Sequence, residues 1–259
     1  MRTSVPDATN DEVRGAWDAL APYWDEQMEA GNTWQRTLIA PAVERLLTLR
    51  HGERVLELAC GNGEFARRMT ELGGSVIATD FSEPMLERAR ARGGDIDYRQ
   101  LDATDREAIL GLAADGPFDA VVSNMAIMDM TDIEPMAEAV GSLVGPQGRL
   151  VVSTLHPSFN SGDAVRITEE TQDASGRVVR THSIKRTSYI TPTTGKGVAL
   201  EDQPVTQWYF DRPLQDVVAP FFDHGWVMDG LLEPVLKAPD PPFDELPGVI
   251  AFRFHRPAA

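Results

Sequence analysis

Apolar residues between positions 54 and 155 follow two alternating rhythms. Short aliphatic runs, such as Val55, Leu56 and Leu58, have the length and branching of buried strands. Between them lie stretches with apolar residues three and four apart, the spacing of one helix face. The pattern predicts strands at 54–59, 75–80, 96–101, 118–124 and 148–155, and helices at 63–72, 83–92, 105–113 and 133–144. Strands separated by helices predict a parallel sheet with right-handed crossovers, a doubly wound α/β fold.

The flanks read differently. Asp11 to Ala30 carries Val13, Trp17, Leu20, Tyr23, Trp24 and Met28 at helical spacing, interrupted at Pro22. Trp17 and Trp24 are read as glue between this segment and the core. A second helix is predicted from Pro41 to Leu49, with proline at its start. After His156 the regularity breaks. In Pro157 to Asp211 the turn Asp173-Ala174-Ser175-Gly176 and the alternating stretch Arg177 to Ile184 predict a β-hairpin or small added sheet. Thr191 to Gly197, rich in Thr, Pro and Gly, is expected to be loop. A parallel-sheet enzyme does not need ~50 extra residues here to fold, so the insertion is a candidate substrate cap. A helix at Pro213 to His224 and strands at Trp226 to Leu236 and Val249 to His255 complete the pattern. The organisation expected is an N-terminal helical lid at 1–50, a core at 51–156 and 212–259, and an insertion at 157–211.

Candidate chemistry begins with residues 54–63, RVLELACGNG. Glycines in a strand-to-helix turn let a ligand approach the backbone without meeting a Cβ. The second strand ends in Asp80, where a carboxylate can accept hydrogen bonds from both hydroxyls of a ribose. Glu57, Asp80, Asp102 and Asn124 fall at the carboxyl ends of four strands, the edge where such sheets bind ligands. A nucleoside cradle is therefore expected. Gly61, Gly63 and Ala66 also satisfy the G-x-G-x-x-A dinucleotide fingerprint. Against a dinucleotide, Glu57 sits just before the turn, where it would repel a pyrophosphate and welcome an ammonium or sulfonium. Cys60 and Asn62 also make the turn bulkier than a diphosphate loop. An NAD-dependent oxidoreductase is the less favoured alternative.

Charge narrows the partners. The chain of 259 residues has a formal net charge of −16, which argues against a nucleic-acid partner, the basic cluster from Arg177 to Arg186 notwithstanding. One cysteine, Cys60, excludes an internal disulfide framework. No apolar run approaches the ~20 residues of a membrane span, and MRTSVPDATNDEV lacks the apolar core of a secretory signal. A cytoplasmic protein with no membrane partner is expected. No His, Asp and Glu spacing suggests a metal site.

The strand-end series resembles the class I S-adenosylmethionine-dependent methyltransferases, of the bacterial small-molecule type. Their first motif is matched by Glu57-x-Ala59-Cys60-Gly61-x-Gly63, with alanine at 59 where many members have glycine. Their ribose acid is matched by Asp80, their adenine-binding Asp-Ala by Asp102-Ala103, and their fourth-strand motif by FDAVVSN at 118–124. Leu143 to Gly148 stands where they have L-x-P-G-G. The resemblance implies a Rossmann-like seven-stranded sheet, mostly parallel with the last strand antiparallel, and S-adenosylmethionine as cofactor. It implies that Ala59, Gly61 and Gly63 lend backbone to the methionine part and that Glu57 answers its ammonium. Asp80 would take the ribose, Phe81 and Met85 the adenine surroundings, and Asp102 and Ala103 the adenine edge. Asn124 and Met125 would close the site near the sulfonium. From the lid, Tyr23, Trp34 and Arg36 are the candidates to cover the cofactor. Ser153 to Phe159 is similar to the S-x-L-H-P-x-F stretch of such enzymes, which makes His156 the candidate base. Trp208 to Leu214 is similar to their H-R-P-L segment, with Asp211 where histidine is common, and Leu232-Glu233-Pro234 to the E-P ending of their sixth strand. Ile127, Met125, Met128 and Met130 could form a soft apolar wall. The activity implied is methyl transfer to an O, N or C nucleophile of a small metabolite, as in secondary-metabolite tailoring. A noncatalytic cofactor-binding or interaction protein is the alternative.

Overall fold

The computed structural model describes residues 8–28, 32–236 and 245–257. Parts of the expected lid (1–7 and 29–31) and of the expected core (237–244 and 258–259) lie outside them. Helix α1 (Asn10–Met28) is followed by one π-helical turn at Gln35–Ile39 and by α2 (Ala40–Leu47). The alternation then runs β1 (Arg54–Leu58), α3 (Glu64–Glu71), β2 (Ser75–Asp80), α4 (Glu83–Ala91), β3 (Asp97–Gln100), α5 (Arg106–Leu110), β4 (Phe118–Asn124), α6 (Glu134–Val140) and β5 (Val144–Leu155). Two antiparallel pairs follow: β6 (Val165–Gln172) with β7 (Val178–Lys185), and β8 (Thr193–Gly197) with β9 (Gln207–Asp211). Helix α7 (Leu214–Asp223) and strands β10 (Val227–Leu232) and β11 (Val249–His255) complete the order.

The main sheet has seven strands in the order β10-β11-β5-β4-β1-β2-β3. Strands β1 to β5 are parallel, and β11 runs antiparallel to both β5 and β10. This is the Rossmann-like methyltransferase sheet that the resemblance implies. The strand order reverses between β1 and β4, so a crevice opens beyond their carboxyl ends. Both faces are buried, as a parallel sheet requires. On β1, Val55 packs into the cluster under α2, α3 and α4, while Leu56 and Leu58 pack into the cluster under α5, α6 and α7. The carboxyl-edge residues can be polar because they face the crevice and neither layer.

Three local expectations change. Helix α1 continues through Pro22. Pro22 removes one backbone donor, but buried Leu20 and Ala21 and an edge-to-face Trp17–Trp24 contact at 5.0 Å hold the two halves in line. Residues 193–197, expected as loop, form β8. They pair with β9, where Trp208 and Tyr209 are buried, and the Lys196 ammonium lies 4.4 Å from the Trp208 ring centre. Strand β5 starts at Val144, opposite Phe118, and residues 145–148 loop out before Arg149 pairs with Ala120. Among the described residues no helix is long and apolar enough to cross a membrane.

The turn after β1 carries its own strain. Ala59, Gly61 and Gly63 have φ of 59°, 56° and 72°. A left-handed alanine costs ~1–2 kcal/mol, whereas glycine there costs ~0.5–1 kcal/mol of extra chain entropy. Ala59→Gly is therefore expected to stabilise the fold by about 0.5–1 kcal/mol, a rise in melting temperature of a few degrees. A lowered melting temperature in a thermal scan would refute this.

Candidate functional site

Beyond the carboxyl ends of β1, β2 and β4 lies a cavity of about 830 Å³, a size that suits a nucleoside cofactor with a small second ligand. Its floor is built from the strand ends. Gly61 donates its N–H to Asp80 Oδ2 at 2.8 Å, and Ser82 donates its N–H to Asp80 Oδ1 at 2.9 Å. Asp80 is buried, and burial pushes its carboxyl up to about 6; the two N–H donors pull it back, and Asp18 and Asp102 push it further up. The caps of the following helices are made by other residues, Ser82 for α4 and Asp105 for α5. Asp80 and Asp102 thus reach the crevice without a capping duty. Asp102 Oδ1 accepts from the N–H and hydroxyl of Thr104, at 2.8 and 2.7 Å. Asn124 Oδ1 accepts from Ser153 Oγ at 2.7 Å, which fixes its amide against β5.

Glu57 is 1% exposed, and its Oε2 has no hydrogen-bond partner. Burial, with Glu64 and Asp80 nearby, holds its carboxyl well above the usual range. A buried carboxyl in that condition suits a cationic ligand group. Gly61 lines the cavity, and a Cβ there would enter open space. These features fit S-adenosylmethionine, whose ammonium, ribose and adenine would meet Glu57, Asp80 and Asp102. Among the described residues no group of three His, Cys, Asp or Glu is placed to hold a metal ion.

The structure brings most of the sequence-derived candidates together. Glu57, Ala59, Gly61, Asp80, Phe81, Met85, Asp102, Ala103, Asn124 and Met125 all line the cavity, as do Trp34, Met128 and Met130. Five candidates stand elsewhere. Gly63 does not line it; a Cβ there would collide with the Tyr98 ring, so this glycine serves packing. Tyr23 donates its hydroxyl to the Glu201 carbonyl at 2.5 Å and Arg36 is exposed; neither faces the cavity. His156 is buried outside it. Its Nδ1 accepts from the Ser158 N–H at 3.1 Å, so its Nε2 carries the proton and donates to Glu233 at 2.8 Å. Both ring nitrogens are occupied in tying the start of the insertion to the chain after β10. Ile127 is buried behind the wall.

Residues that sequence reasoning passed over complete the site. Trp17 and Trp24, read as glue, line the cavity. Asn10 bridges α1 to Thr104 and Thr131. Asp25 accepts from Asn62 Nδ2 in the glycine turn at 3.0 Å and from Arg92 Nε at 2.6 Å. Arg212, just past β9, donates to the carbonyls of Ile127, Met130 and Thr131 at 3.1, 2.7 and 2.9 Å. It thereby fixes the segment after β4. Asp129, Gln207, Tyr209 and Asp211 form the far wall. Their sequence signals were the likeness of Trp208 to Leu214 to the H-R-P-L segment, which assigned Tyr209 and Asp211 no place in a wall, and Asp129 as an acid between two methionines after the fourth strand.

Comparison with known proteins agrees with this geometry. Residues 55–148 match the family described as Methyltransferase domain. The chain is 29% identical over 223 residues to the demethylmenaquinone methyltransferase of Renibacterium salmoninarum, covering 84% of this chain and 90% of that one. A malonyl-[acyl-carrier protein] O-methyltransferase of Magnetococcus marinus is 38% identical over 105 residues, 39% of this chain and 38% of that protein. Among solved structures, an S-adenosylmethionine dependent methyltransferase from Mesorhizobium loti superposes with a TM-score of 0.59 at 25% identity, over 83% of this chain and 96% of that one. The glycopeptide N-methyltransferase MtfA, complexed with S-adenosylmethionine, shares the fold with a TM-score of 0.54 at 18% identity, over 89% and 94% of the two chains. With the strand-end carboxylates, the open glycine turn and these relatives in agreement, the chain belongs to the class I S-adenosylmethionine-dependent methyltransferases.

Proposed function

We propose that the chain transfers the methyl group to an oxygen, nitrogen or carbon nucleophile of a small metabolite, with helix α1 and residues 157–211 closing over the reactants. The observation that carries this reading is the shape of the cavity. Its floor is the cofactor edge of the sheet, and its far wall comes from α1 and from the insertion, through Ala164, Arg166, Leu200, Gln207 and Tyr209. Relatives named for demethylmenaquinone and for malonyl-[acyl-carrier protein] support a small or carrier-borne acceptor.

When bound, the cofactor supplies a methyl group already activated on sulfur. The chain then has three tasks. Glu57, Asp80 and Asp102 hold the cofactor's ammonium, ribose and adenine. The wall formed by Met128, Met130 and Tyr209 orients the acceptor in line. Helix α1 and the insertion keep water out. No histidine lines the cavity among the described residues, so any proton taken from the acceptor goes to a different group.

Three measurements test this reading. First, Asp80→Ala should weaken S-adenosylhomocysteine binding at least ~tenfold, because charge-assisted hydrogen bonds contribute ~1.5–3 kcal/mol each. The wild-type affinity should also fall as pH drops through about 6. The ionised carboxyl is the better acceptor, and below that pH it holds a proton. Calorimetry between pH 5 and 8 that shows no such fall removes Asp80 from the ribose site. Second, Gly61→Ala should cost most of the affinity with a modest loss of melting temperature, since its methyl enters the cavity. Gly63→Ala should do the reverse, since its methyl enters the Tyr98 ring. Equal effects on both readouts would make the two glycines equivalent turns. Third, amides of α1 and of 157–211 should exchange more slowly with S-adenosylhomocysteine bound. Identical exchange with and without it would sink the closure.

A further inference from the structure

Two carboxylates that line the cavity each keep a buried oxygen that no donor reaches, Glu57 and Asp129. The methyltransferase reading supplies a partner for Glu57 in the cofactor's ammonium. It supplies none for Asp129. That residue ends the short turn Ile127–Asp129 after β4 and is 8% exposed. Its N–H donates to the Ala126 carbonyl at 2.9 Å, and Arg212 grips the carbonyls on either side of it. These bonds hold the backbone of the turn that carries the carboxylate. Gln207, 1% exposed on β9, donates its side-chain amide to Asp129. The Gln207 carbonyl oxygen accepts from Gln203 Nε2 at 3.3 Å, which sets the orientation of that amide. One neutral donor is thus built in, and a place is left for another. Burial pushes the Asp129 carboxyl well above its ordinary range, with only Gln207 pulling it back. A buried carboxylate that keeps one oxygen without a donor is costly unless a ligand completes it.

The surroundings select the ligand's charge. The cavity is lined by Glu57, Glu64, Asp80, Asp102, Asp129 and Asp211, against one cation, Arg166, among the described residues. In a cleft shielded from water such a field concentrates cations and excludes anions. Met128 and Met130, on either side of Asp129, and Tyr209 on β9 give the same cavity an apolar wall. We infer that Asp129, oriented by Gln207, is the carboxylate that binds and deprotonates the acceptor, and that the acceptor is an amine on an apolar body. This rests on the methyltransferase reading and narrows it to nitrogen.

The step balances. The acceptor enters as R–NH3⁺, passes one proton to Asp129 and recovers its lone pair. That pair forms the new N–CH3 bond as the methyl–sulfur bond breaks, its electrons remaining on sulfur. The products are R–NH2⁺–CH3 and S-adenosylhomocysteine, and one positive charge has moved from sulfur to nitrogen. Asp129 holds the proton until the product leaves.

Calorimetry on the whole chain tests this in two stages. S-adenosylmethionine and S-adenosylhomocysteine are first titrated into the wild type and Asp129→Asn. Both affinities should stay within about threefold in the variant. If the variant loses S-adenosylmethionine much more than S-adenosylhomocysteine, Asp129 serves the sulfonium and the inference is wrong. The S-adenosylhomocysteine complex is then titrated with three probes of one shape: benzylamine, benzyl alcohol and benzoate. Benzylamine should bind at least tenfold tighter than the other two, and Asp129→Asn should erase the difference. Asp129→Glu, which keeps the charge, should retain a weaker preference and serves if the asparagine variant does not fold. Mass spectrometry with S-adenosylmethionine should show N-methylbenzylamine from the wild type only. No preference among the probes, or a preference that survives Asp129→Asn, overturns the amine assignment. Failure of the wild type to bind S-adenosylhomocysteine at all would instead overturn the methyltransferase reading beneath it.

Discussion

The cleft depends on one hydrogen bond, the 2.8 Å contact from the Gly61 N–H to Asp80. It joins the turn after β1 to the end of β2, beside the backbone bond from the Cys60 N–H to the Thr79 carbonyl at 2.8 Å. The turn has three residues at positive φ and begins with a left-handed alanine, a backbone that needs outside support to persist. Asp80 gives that support with one oxygen and accepts from Ser82 with the other. The carboxylate is therefore stabilised by two N–H dipoles and not by a cation. That choice leaves the neighbourhood electronegative. Glu57 and Asp129 sit in the same field, each with a buried oxygen that no donor reaches.

Helix α1 is tied into this arrangement from both ends. At its start, Asn10 bridges Thr104 and Thr131, the loops after β3 and β4. Near its end, Asp25 receives Asn62 from the glycine turn and Arg92 from the end of α4. Burial alone would raise the Asp25 carboxyl, but Arg92 and Asn62 more than offset it and hold it below the usual range. The helix that roofs the cavity is thus fastened to the same turn that would cradle the methionine part. A disturbance of that turn would be felt at the roof.

The sheet was legible in the sequence because burial on both faces leaves continuous aliphatic runs, and β1, β2 and β4 have little freedom to read otherwise. The strand-end acids were legible because a polar residue that ends an apolar run has only the crevice to face. Side-chain direction across a gap was not legible. Tyr23 and Arg36 lie on the right segments yet turn toward Glu201 and solvent. His156 follows β5 as expected, but Glu233, 77 residues away, claims its proton. Strand β8 was missed because its β character comes from pairing with β9, not from its own Thr and Gly composition. Asp129 could be seen as an acid among methionines, but only Gln207 and Arg212, far along the chain, show that it is held in place.

The insertion is anchored unevenly. Its second half, through Gln207, Tyr209 and Asp211 of β9, forms part of the cavity wall, and its first half reaches that wall only near its base, at Asn160 to Arg166. Its first half, the hairpin β6–β7, is mostly exposed and is closed at its base by Arg186, which reaches the Pro157 carbonyl and pairs with Asp163 at 2.7 Å. A loop pinned at its stem transmits little strain from its tip. The hairpin tip near Gly176 is thus where this chain could accept an inserted tag or a grafted domain, or lose several residues, with the reaction chamber left intact. Evolution has the same freedom: relatives could lengthen or trim this arm while keeping one catalytic cleft.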